Sequence, residues 1–70
     1  MKLSARNQFK GTVVGIQEGA VNGIVQIDIG GGNVVSATIS MNAIRELGLA
    51  VGKEAYAVIK ATSVMVGVDH

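Results

Sequence analysis

Three features of the sequence predict an all-β domain that carries one short helix. Runs rich in Val, Ile and Thr alternate with polar residues, glycine clusters separate these runs, and a single helical stretch is barely two turns long. Short strands in this order, with the helix between the fourth strand and the next, predict a five-stranded Greek-key barrel. It is of the oligonucleotide/oligosaccharide-binding (OB) type, in which a helix may plug one end.

The elements follow in order. A first strand is expected over 3–8 and a longer one from 10 to about 17, where Thr12-Val-Val-Gly-Ile16 is β-branched and Gly11 and Gly15 permit bends or bulges. Turn residues fill 18–23. The run 24–29 places Val25, Ile27 and Ile29 on one face and Ile24, Gln26 and Asp28 on the other. Gly30-Gly-Gly-Asn33 then closes a hairpin into 34–39, where Val35, Ala37 and Ile39 alternate with Val34, Ser36 and Thr38. The glycine triplet is a turn and not a phosphate loop, because it lacks the Gly-Lys-Ser/Thr ending and no clear helix follows it. The helix is expected over 41–47, with Ser40 as N-cap, Ile44 and Leu47 on one face, and Gly48 placed for the C-terminal stop. After a connector at 49–53, strands are expected over 54–60 and 62–68, separated by a break at Ala61–Ser63. No repeat or linker interrupts the chain, so residues 1–70 read as one domain.

Composition limits the function classes. A chain of 70 residues buries only about 60% of its unfolded surface and commonly needs extra stabilisation. There is no cysteine, and the one histidine is His70, so disulfides are excluded and a structural zinc site has no ligand set. Oligomerisation remains, and the 49% apolar content agrees with burial against other copies. Six Lys/Arg against five Asp/Glu give a net charge of +1, which makes no nucleic-acid footprint and no polybasic membrane patch. With Lys2 but no apolar run behind it, no signal peptide is expected, and no run reaches membrane-span length. A soluble cytoplasmic protein is expected.

Chemistry concentrates at three places. In an extended start, Ser4, Arg6 and Gln8 face one way and Ala5 and Asn7 the other. A hydroxyl beside a guanidinium, with no acid nearby, suits an oxyanion. The competing reading makes Arg6 and Lys10 solvated charges that protect an edge strand. Ser40 and the first-turn N–H groups of the helix form a second donor set, whether they only cap the helix or also hold an anion. Lys60 ends an apolar run beside the small residues Ala61, Thr62 and Ser63, as an ordinary snorkelling lysine also would.

Taken together and in this order, these clusters resemble the molbindin family, small molybdate-binding proteins built from one or two TOBE-type (Mop-type) domains. The resemblance covers the whole chain. It rests on Met1-Lys-Leu-Ser-Ala-Arg-Asn-Gln-Phe-Lys-Gly11, Gly30-Gly-Gly-Asn33, Ile39-Ser40 leading into Ala43-Ile-Arg-Glu-Leu-Gly48, and Ala57-Val-Ile-Lys-Ala-Thr-Ser-Val-Met65. It implies a barrel whose N-terminal strand is exchanged between subunits, a homo-hexamer built as a trimer of dimers, and molybdate or tungstate bound at subunit interfaces without an organic cofactor. Carried onto this chain, Ser4 and Arg6 come from one subunit. Ser40, the N–H of Ala43, Lys60 and the backbone of Ala61 come from its partner. Ala43 stands where related domains often carry a second hydroxyl, so it offers only its N–H.

The expected function is molybdate storage or homeostasis without catalysis. An OB-like nucleic-acid-binding module is the alternative that the fold permits. Phe9 and Tyr56 are the only aromatics, too few for the stacking platforms of such modules. The five acids, Glu18, Asp28, Glu46, Glu54 and Asp69, are scattered, and no nucleophile–base pair is visible for an enzyme. A sensing role would require a partner protein.

Overall fold

The computed structural model describes residues 3–69. Met1, Lys2 and the terminal His70 lie outside the described residues. Four strands form: β1 (Asn7–Gln17), β2 (Asn22–Gly30), β3 (Asn33–Ser40) and β4 (Glu54–Ile59), with helix α1 (Met41–Glu46) between β3 and β4. The sheet order is β3-β2-β1-β4, with antiparallel pairing throughout. A meander whose fourth strand returns beside the first is the Greek-key order expected from the sequence.

β1 holds the sheet together. Its first half pairs with β4, from Asn7↔Ile59 to Thr12↔Glu54, and its second half pairs with β2, from Thr12↔Asp28 to Gln17↔Ile24. The register slips between Val13 and Gly15, a bulge at one of the two glycines expected to allow it. The slip bends the strand, and β4 comes to touch β2 although β1 lies between them in the sheet. The peptide of Val13 extends the β4 side, its N–H donating to Lys53 O (2.9 Å) and its carbonyl accepting from Gly52 N–H (2.8 Å).

The core lies inside this curl. Val13, Val25, Ile27, Met41, Ile44 and Ala57 are buried, with Ile16, Ile29, Val35, Ile39, Leu49 and Ala55 packed around them. The alternation expected in β2 and β3 is present: Val25 and Ile27 point inward, and Val35, Ala37 and Ile39 are half-buried on the same side. Helix α1 covers one end through Met41 and Ile44, seated close against Gly23, where an added Cβ would meet Ile44 Cδ1 at 2.7 Å and Met41 Sδ at 2.9 Å. Ser40 caps it, accepting the Ala43 N–H at 3.0 Å, and Gly48 follows it at φ +62°. Leu47, expected in the last turn, is the C-cap. The glycine triplet turns the β2–β3 hairpin with all three φ values positive, and Asn33 closes it by donating to Gly30 O (3.1 Å).

Two expected strands differ. Residues 3–6 are irregular and continuous β1 begins at Asn7, because β4 supplies ladder partners only from Ile59 backwards. The last strand, expected over 62–68, is absent from the described single chain. Ala61–Ser63 forms a 3₁₀ turn, and the residues after it pair with no strand of the same chain. A strand exists only with a ladder partner, and this segment leaves the sheet at the turn. Met65 and Val66 are each 93% exposed in consequence. The edges β3 and β4 therefore face each other across an open seam. There a groove of about 390 Å³ is lined by Val25, Ile27, Ala37, Ile39, Leu49 and Tyr56, among others. No helix among the described residues is long and apolar enough to cross a membrane.

Gly11 sits where β1 passes from one partner to the other. A Cβ there would strike the Asp28 carbonyl, which is backbone, and Ile27 Cγ2. Gly11→Ala should cost about 2 kcal/mol and lower Tm by roughly 8–16 °C in a thermal melt followed by circular dichroism. Gly15→Ala should cost less than about 1 kcal/mol, because its Cβ meets the movable end of Gln26. Ser40→Ala removes the cap of a six-residue helix and should lose about 1 kcal/mol in the same assay.

Candidate anion-binding site

The polar recess with cationic lining lies where the lead-in to β1 meets the end of β4. Asn7 and Ile59, 52 positions apart in sequence, are Cα partners, and Asn7 Nδ2 donates to Ile59 O at 3.1 Å. That bond ties the residue after Arg6 to the residue before Lys60. On the N-terminal side, Gln8 Nε2 donates to Ala5 O at 3.0 Å and folds the lead-in back on itself. On the other side, Lys60 is extended (φ −64°, ψ 140°) and caps the 3₁₀ turn, which is closed by Ser63 N–H to Lys60 O at 2.9 Å.

These constraints leave a recess of about 170 Å³ lined by Ser4, Ala5, Arg6, Lys60, Ala61 and Thr62. Two cations and two hydroxyls line it, and no carboxylate does. Among the described residues, neither Arg6 nor Lys60 takes part in an ion pair. The pair that forms is Lys10–Glu54 (3.4 Å), both side chains mostly exposed. No hydrogen bond within the described chain engages the side chains of Ser4, Arg6, Lys60 or Thr62. A concave set of unengaged donors with a double positive charge can hold a small polyoxygen anion. The groove at the seam is larger, but its lining is aliphatic apart from Glu54 and Tyr56.

Of the residues singled out in the sequence, Ser4, Arg6, Lys60 and Ala61 thus meet in one chain. Ser40 and Ala43 do not join them. Ser40 faces Asn22, beyond the Gln17 end of β1, whereas Lys60 follows the partner of Asn7. The ten steps from Asn7 to Gln17 span about 33 Å along the strand. The resemblance grouped Lys60 and Ala61 with Ser40, and the single chain groups them with Ser4 and Arg6.

The helix N-terminus offers fewer free donors than its sequence suggests. Met41 N–H goes to Val21 O (2.8 Å) and Ala43 N–H to Ser40 Oγ (3.0 Å). The Ser40 hydroxyl hydrogen stays free to donate, while an anion reaching Ala43 must share its N–H with the cap. Thr62 was read as a small residue beside Lys60 and as the start of a strand, not as a donor to the site. The period-two pattern carries no information about the 3₁₀ turn that brings Thr62 to the recess lined by Arg6 and Lys60.

The TOBE domain model matches residues 3–66 of the chain. A probable molybdenum-pterin-binding protein of Haemophilus influenzae is 71% identical over 69 residues, covering 99% of this chain and 100% of its own length. The solved structure of MopII from Clostridium pasteurianum superposes with a TM-score of 0.89 at 45% identity, covering 96% of this chain and 100% of that one. ModG, described as a cytoplasmic molybdate-binding protein and solved with molybdate bound, superposes with a TM-score of 0.82 at 54% identity. The match covers 87% of this chain and 43% of ModG.

Proposed function

The chain belongs to the TOBE domain family, and on that premise we propose that it binds molybdate, with tungstate as the nearest chemical alternative, and holds it for storage or buffering without transforming it. The observation that carries the reading is the recess in which Arg6 and Lys60 converge with the Ser4 hydroxyl and no carboxylate intervenes. A tetrahedral dianion needs cations to offset its charge and several donors to fix its four oxygens. Hydrogen bonds to a charged group contribute about 1.5–3 kcal/mol each, so four or five support micromolar affinity after the entropic cost of binding. ModG, with molybdate bound, supports the choice of anion, and its description supports a cytoplasmic location.

The pocket is completed across a subunit interface of a homo-hexamer, a trimer of dimers. One chain contributes Ser4, Arg6, Lys60 and the backbone of Ala61, and a second contributes Ser40 and the N–H of Ala43. The separation of the two donor sets within one chain supports this division. The assembly itself is favoured by the open seam between β3 and β4 and by the exposed run Val64, Met65, Val66 and Val68. Strand exchange is assigned to that seam, where the apolar run of a second copy supplies the missing fifth strand. The N-terminal segment, to which the resemblance gave the exchange, is from Asn7 onward already paired with β4 of its own chain. Selectivity against sulfate, a smaller dianion of the same shape, falls to the size of the completed cavity.

Arg6→Ala and Lys60→Ala should each weaken molybdate binding at least about 100-fold in isothermal titration calorimetry while leaving the circular dichroism spectrum unchanged. Affinity equal to that of the unsubstituted protein would remove the site from this recess. Val66→Asp places a charge on the exposed apolar run, and native mass spectrometry should show the hexamer replaced by smaller species. A persisting hexamer would exclude this run from the interface.

A further inference from the structure

We propose that Thr62 is a binding residue of the anion pocket, its side-chain hydroxyl donating to the anion beside Lys60. The inference rests on the molybdate reading above and deepens it by adding a donor that neither the sequence pattern nor the family resemblance supplied.

The side chains around the recess that can donate are Ser4, Arg6, Lys60 and Thr62, while Ala5 and Ala61 contribute none. Four side-chain donors face an anion with four oxygens. Backbone geometry holds Thr62 at the recess. Lys60 caps the 3₁₀ turn, and the Ser63 N–H to Lys60 O bond (2.9 Å) and the Val64 N–H to Ala61 O bond (3.3 Å) close that turn around Thr62. No acceptor within the described chain takes its hydroxyl hydrogen. The Thr62 hydroxyl shares the recess with two cations and no carboxylate, so a bound oxyanion supplies it with a charged acceptor in place of water. Threonine's β-branch also restricts χ1, so the hydroxyl is presented with little rotamer freedom to lose on binding.

Thr62 therefore offsets the hydroxyl missing at Ala43. That position offers only an N–H, and the N–H is already engaged by Ser40 Oγ. The donor lost on the helix is regained on the turn, two positions after Lys60.

The test compares Thr62→Val, which keeps the shape and removes the hydroxyl, with Thr62→Ser, which keeps the hydroxyl and removes the methyl. Sodium molybdate is titrated calorimetrically into each variant and into the unsubstituted protein, with sodium sulfate as control and native mass spectrometry to confirm an unchanged assembly. Thr62→Val should weaken molybdate binding about 10-fold or more, and Thr62→Ser should restore it to within about twofold of the unsubstituted protein. Unchanged affinity in Thr62→Val overturns the assignment. So does equal weakening in both variants, which would mark Thr62 as a packing residue. Molybdate binding that is absent from the unsubstituted protein overturns the functional reading itself, and Thr62 with it.

Discussion

One strand with two partners sets the geometry of the whole chain. β1 hydrogen-bonds to β4 along its first half and to β2 along its second, and Thr12 is the residue registered with both Glu54 and Asp28. A flat strand cannot serve two partners in this way and still enclose a core. Gly11, which lets the Asp28 carbonyl approach, and the bulge before Gly15 provide the bend. Because β1 bends, the inward faces of β2 and β4 converge on Val13, which is fully buried, and the Greek-key return of β4 becomes possible.

The same double pairing creates the recess proposed as the anion site. Only β1 brings the start of the chain to the end of β4, and the Asn7–Ile59 contact places Arg6 and Lys60 on either side of one recess. Two cations in one recess repel each other, and the arrangement is tolerated because both are solvated and no core residue depends on them. A few residues along the same pair of strands, Lys10 meets Glu54 and its charge is neutralised locally; an exposed pair of this kind contributes little to stability. The contrast is electrostatic: Lys10 has a carboxylate partner, whereas Arg6 and Lys60 share a concavity that no carboxylate lines.

The open seam has the opposite character. A small domain buries too little surface to be stable with ease, and this one leaves two strand edges, an aliphatic groove and an apolar run of its own chain without partners. Under the proposed assembly and site, association between copies and capture of an anion draw on different parts of the same 70 residues, the apolar seam and the polar donors at the two ends of β1.

The sequence by itself determined what local chemistry governs. β-Branched alternation placed the inward faces of β2 and β3, the glycine triplet gave the hairpin its positive φ values, and Ser40 and Gly48 bounded the helix, because each of these follows from the residue and its immediate neighbours. Ser4, Arg6 and Lys60 were legible as donors for the same reason, since a hydroxyl, a guanidinium and an ammonium announce themselves by type. Only the tertiary structure decided that Lys60 shares a recess with Arg6 in one chain and not with Ser40, that Thr62 lines that recess, and that the segment after Ser63 forms no strand within the chain. Those facts depend on which strand pairs with which over 52 positions of sequence and on a 3₁₀ turn at the end of β4. Ladder pairing is a long-range choice that residue periodicity does not encode.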